Sequence, residues 1–91
     1  MRTLVESELF SHQVAQFRDV ERVDDVLLGV TWAIAMMPEE FQPLPGLGSL
    51  RMAKSERLKR GAKYVQLRVW FAIRDEHTIE LLGLDSVDAP S

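Results

Sequence analysis

From Tyr64 to Arg74 the chain reads YVQLRVWFAIR, placing Val65, Leu67, Val69, Phe71 and Ile73 on one side and Gln66, Arg68, Trp70, Ala72 and Arg74 on the other. A period of two is the signature of extended chain, whose side chains alternate between faces. A strand divided this sharply needs an apolar layer against one face and leaves its cations on the other. What supplies that layer, and what meets the cations, are the two questions the remaining residues answer.

The covering layer is legible upstream. Val20, Val23, Leu27, Val30, Ile34 and Met37 recur at alternating spacings of three and four, which lines one side of an amphipathic helix. Trp32, Ala33, Ala35 and Met36 widen its apolar surface, so its C-terminal half is expected to be buried on more than one side, with Met36 and Met37 as core filler. Pro38 ends it, because the residue before a proline is pushed out of the helical region. Before this helix, Thr3 to Leu9 reads as a strand. Ser11 is placed to cap a short helical turn through Val14 and Phe17, with Phe10 as its staple, and Asp19 offers a second cap.

Pro38 to Ser49 (PEEFQPLPGLGS) reads as an ordered surface loop pinned by Phe41 and Leu44. Leu50 to Lys54 reads as a strand, Ser55 to Gly61 (SERLKRG) as a basic loop, Arg74 to Thr78 as a polar turn, and His77 to Leu84 as a returning strand. Ser86 to Ser91 reads as a flexible tail. Helices and strands that come in runs rather than alternating predict an α+β layer: a four-stranded antiparallel sheet with helices on one face.

Size and charge restrict the function classes. Ninety-one residues make one domain, assigned to residues 1–85, because so short a chain cannot divide its buried surface between two cores. With no cysteine, disulfides and thiolate metal sites are excluded, which favours the cytoplasm over secretion. The longest apolar run, Val26 to Met37, falls short of the roughly 20 residues a membrane span requires. Glu6 and Glu8 interrupt what would be the apolar core of a signal peptide. Positive charge is concentrated: between Arg51 and Arg74 eight cations face the single acid Glu56, a net of +7, although the whole chain carries −3.

Phe10, the helix ending near Pro38, the run Leu44-Pro45-Gly46-Leu47-Gly48-Ser49-Leu50-Arg51, the basic glycine-containing turn, Leu67-Arg68-Val69-Trp70-Phe71 and the closing Ile79-Glu80-Leu81-Leu82 together resemble the RelE/ParE-like toxins of bacterial toxin–antitoxin pairs, the HigB-type members above all. The resemblance implies an antitoxin partner, a cytoplasmic setting, no cofactor and, in ribosome-dependent members, mRNA cleavage without a metal. It places Arg68 at the scissile phosphate, as the candidate catalytic residue, and Arg51 and Lys54 at basic positions of the preceding strand. The candidate RNA- or antitoxin-binding set is Arg51, Lys54, Arg57, Lys59, Arg60, Lys63 and Trp70. Arginine suits the task, since its planar fork grips phosphate oxygens at two points where charge builds up.

One departure bears on chemistry. Where such nucleases carry a basic or aromatic proton-transfer group after the last strand, this chain has Leu84, Asp85, Ser86, Val87 and Asp88. Two carboxylates there repel phosphate, and no replacement base lies nearby. Members acting on DNA gyrase keep the fold without that set, and a homodimeric or purely protein-binding role is the alternative. Arg68 likewise has two readings, a phosphate ligand or a side chain that simply reaches solvent or pairs with Asp85, and Trp70 and Trp32 have a packing reading beside any functional one.

Overall fold

A computed structural model describes residues 1–90. The chain runs β1 (Thr3–Glu6), α1 (Glu8–Val14), a 3-10 turn (Ala15–Phe17), α2 (Val23–Met36), a second 3-10 turn (Pro38–Glu40), β2 (Leu50–Arg60), β3 (Lys63–Ile73) and β4 (Thr78–Asp88). The four strands form one sheet in the order β1-β4-β3-β2, an α+β arrangement. The helices pack on one face. Phe10, Phe17, Val26, Leu27 and Ile34 meet Leu58, Val65, Leu67, Val69, Phe71, Ile79, Leu81 and Leu84 in one core cluster. Phe71 is fully buried and takes the Phe41 ring edge-on at 5.6 Å, which is how the proline-rich loop is pinned. Truncating a phenylalanine in such a position costs about 3–5 kcal/mol.

The sheet is mixed, not wholly antiparallel as expected: β1 pairs parallel with β4, from Thr3 opposite Thr78 to Glu6 opposite Leu81. The two helices carry the chain back across the sheet, so β2 enters in the same direction as β1. Two hairpins then return β4 to that direction beside β1. The antiparallel prediction holds for β2-β3 and β3-β4.

Four local boundaries also differ. β1 stops at Glu6 because Ser7 takes the cap predicted for Ser11: its Oγ accepts the Phe10 N–H at 3.0 Å and donates to the Leu82 carbonyl at 3.1 Å. Phe10 is thereby a buried residue inside α1, not a residue ahead of it. α2 begins at Val23 after Arg22, which adopts a left-handed conformation (φ 62°), and Asp19 does not cap it. Its C-terminal half is covered on one side only, leaving Trp32 55%, Met36 45% and Met37 51% exposed, so the two methionines are not core filler.

The predicted basic loop at Ser55–Gly61 is instead the second half of β2, broken only by a bulge between Lys54 and Arg57. Buried Ser55 makes this feasible. Its Oγ accepts the Leu67 N–H at 2.9 Å and donates to the Glu56 carbonyl at 2.7 Å, so the extra residue orphans no amide. The hairpin then closes through Gly61, whose φ of 60° meets the positive angle that the first position of a tight turn demands. β4 continues through Asp88, where pairing with Val65 and Gln66 extends the sheet beyond the expected start of the tail at Ser86. Ser91 lies outside the described residues.

Candidate functional site

With the helices on one face, the other face of the sheet is open, and strand register decides which cations it holds. Lys54 stands opposite Arg68, Arg57 opposite Gln66, Lys59 opposite Tyr64 and Met52 opposite Trp70. Because Val65, Leu67, Val69 and Phe71 fill the core, Tyr64, Gln66, Arg68 and Trp70 project from the other side, and their partners with them. Lys54, Arg57, Lys59, Arg68 and Trp70 thus share the open face.

Arg51, Arg60 and Lys63 do not join them. Arg51 opposes the core residue Phe71 and turns toward the helices, where its Nη1 donates to the Phe41 carbonyl and its Nε is buried without a partner among the described residues. Arg60 lies 5.1 Å over the Phe17 ring and donates to Asp19 at 2.8 Å and to the Gln16 carbonyl at 3.2 Å. Lys63 opposes Arg60 at the exposed end of the hairpin. The basic segment is therefore split by strand alternation, and Arg51 and Arg60 hold the scaffold together.

On the open face the cations differ in what they already bind. Lys54 and Lys59 are exposed and make no ion pair among the described residues. Arg57 stacks 4.9 Å above the Tyr64 ring and donates to the Pro90 carbonyl at 2.5 Å. Arg68 is occupied. Its Nε and Nη2 reach the two oxygens of Asp85 at 2.7 and 2.6 Å, and its guanidinium lies 5.2 Å from the Trp70 ring. This two-point pair holds the Asp85 carboxyl below the usual aspartate range, with a smaller contribution from Trp70, and holds the guanidinium pKa above its ordinary value. A phosphate at Arg68 would first have to displace a carboxylate of the same charge sign.

Beside this pair lies a depression of about 300 Å³ lined by Leu9, Gln13, Leu50, Trp70, Leu82 and Gly83, with Asp85 at its margin. α1 builds one wall. Where β1 ends, α1 covers the edge of β4, and Gln13 Oε1 accepts the Leu84 N–H at 2.7 Å. Gly83 permits that approach, since a Cβ there would lie 3.2 Å from the same oxygen. Neither His12 nor His77 lines the depression. The surface can therefore hold apolar side chains at one end and anions at the other.

Leu9, Gln13, Leu50, Leu82, Gly83 and Ser55 carry no mark in the sequence that singles them out as site residues. Leu50 has a signal in hindsight, since it continues the alternation of Met52 and Lys54 on the open side. Gln13 has none: its partner is 71 positions away. No protein-family model matches the chain, and no curated protein matches it.

Proposed function

We propose that this chain is a toxin-type protein of the RelE/ParE-like kind, or a diverged relative, that works by binding through the open face of its sheet. The observation that carries the reading is the adjacency of two unlike surfaces on that face. An apolar depression around Trp70 lies beside a cationic row formed by Lys54, Arg57 and Lys59. An acidic polypeptide bearing apolar side chains, as expected of an antitoxin, satisfies both surfaces, and charge complementarity raises its association rate and selectivity. The two helices and the four-stranded sheet agree with what the resemblance implies, whereas the parallel pairing of β1 with β4 departs from the antiparallel sheet it implies.

Cleavage of RNA fits this face less well than binding. The best phosphate ligand, Arg68, is engaged by Asp85, and no histidine lies beside it to move a proton. Binding of a single-stranded nucleic acid would use Trp70 as a stacking platform and the lysines as phosphate contacts.

Induced expression in bacterial cells tests the proposal. The expected result is growth arrest that Lys54→Glu combined with Lys59→Glu relieves while the purified variant stays folded. Expression without any arrest would replace the toxin reading by that of a protein-interaction module of the same fold. Cleavage of mRNA by the purified chain on ribosomes, abolished by Arg68→Ala, would overturn the non-cleaving mechanism.

A further inference from the structure

β2 is the long outer strand of the sheet, and its outer edge is paired only at its ends. Isolated bridges join Pro43 to Arg51 and Val20 to Arg60, with the Leu44 N–H on the Leu50 carbonyl at 2.9 Å and the Glu21 N–H on the Lys59 carbonyl at 2.9 Å. Between them no backbone group outside the sheet reaches β2 among the described residues. Alternation from Leu50 and Lys59 turns the N–H and C=O of Lys54 and Arg57 outward. Above this edge runs a groove of about 340 Å³ between β2 and α2, lined by the apolar Val26, Val30, Ala33, Phe41 and Ala53. Arg22, Lys54, Asp25 and Glu56 line it too, two charges of each sign, so the groove itself favours uncharged side chains. Gly29 also lines it, and a Cβ at Gly29 would meet nothing within 4 Å.

We propose that this edge and groove form a docking site for an extended acidic segment of another protein, added as a short strand beside β2. The edge would serve this way whether or not the chain is a toxin. An added strand alternates its side chains, so those on the helix side enter the apolar groove. Those on the other side pass Lys54, Arg57 and Lys59, which is why they must be acidic. A second copy of this chain is the poorer occupant: pairing β2 with β2 would bring three cations of each copy, Lys54, Arg57 and Lys59, onto one face.

The probe is a synthetic eight-residue peptide alternating Glu and Val, N-methylated along one edge so that it cannot assemble with itself. The expected result is saturable binding to the full chain at low salt, slowed amide exchange at Lys54 and Arg57, and at least tenfold weaker binding to Gly29→Leu. That variant fills the groove, and replacing a helix-interior glycine should leave the protein as stable as before or more so, which separates blockage from unfolding. The open-face variant Trp70→Ala should bind the peptide as the parent does, so this test and that of the proposed function fail independently. Unchanged binding by Gly29→Leu, or no slowing of exchange at Lys54 and Arg57, would overturn the proposal. So would slowing that depends on protein concentration alone, which would assign the edge to a second copy.

Discussion

Arg68 and Asp85, 17 positions apart, are joined side by side across the β3-β4 ladder by two hydrogen bonds of 2.7 and 2.6 Å, so the strand's central cation carries its own counter-ion. The pair is partly solvated, with side-chain exposures of 28% and 43%, and an ion pair of that kind adds only about 0.5 kcal/mol. Its consequence is functional: Arg68 is not an unoccupied phosphate ligand.

Asp85→Asn should therefore change binding more than stability. Freed from its carboxylate, Arg68 adds one phosphate contact, and the slope of log affinity for a single-stranded oligonucleotide against log salt should steepen by about 0.7. Titration at several salt concentrations reads this directly. An unchanged slope would show that Arg68 does not meet the polymer.

The same pair sets an acid dependence. The folded-state pKa of Asp85 lies below its unfolded value of about 3.8, chiefly because Arg68 donates to the charged carboxylate. Its contribution is present above the unfolded pKa and lost as pH falls through the lower folded value. Denaturant midpoints measured from pH 6 down to pH 2 should fall further for the parent than for Asp85→Asn, the two curves converging at the acid end.

Ser55→Ala should destabilise the chain at the β2 bulge. It removes the acceptor of the buried Leu67 N–H at the bulge, and an orphaned buried donor costs about 1–3 kcal/mol. Equilibrium urea unfolding measures the loss. A variant within a few tenths of a kcal/mol of the parent would mean that the bulge relaxes and re-pairs.

Gly83→Val should push Gln13 off the Leu84 N–H, because the new Cβ alone lies 3.2 Å from Gln13 Oε1. Loss of the bond costs about 1 kcal/mol, lowering Tm by about 4–8 °C in a domain of this size. Gln13→Ala removes the same bond, so the double variant should lose less than the sum of the two.

The lysines and Arg51 should separate cleanly. Lys54→Gln with Lys59→Gln should reduce the oligonucleotide salt slope by about 1.4, roughly 0.7 for each lost phosphate contact, at little cost in stability. Arg51→Gln should leave the slope unchanged and lower stability, because its guanidinium holds the Phe41 carbonyl on the helix side. Equal slope changes would contradict the division of the cations between two faces.

Several elements are legible in consecutive residues alone. Spacings of three and four from Val23 to Ile34 mark α2, and the alternation from Val65 to Phe71 marks β3 and its buried face, because each pattern is the local chain's own periodicity. The proline- and glycine-rich loop and the β3-β4 hairpin follow from turn chemistry. Ser55–Arg60 hides its strand, because its charged residues resemble a solvated loop. Ser55 supports a strand there only through Leu67, 12 positions on.

The sequence by itself determined that this chain has one apolar helix, one strand with a greasy side and a cationic side, and a positive segment set against an acidic remainder. Only the tertiary structure decided that β1 runs parallel to β4, that Arg51 and Arg60 turn toward the helices, that Asp85 occupies Arg68 and that the outer edge of mid-β2 has no strand beside it among the described residues. Periodicity is written in consecutive residues, whereas strand partners, charge partners and unpaired edges depend on where distant segments come to lie.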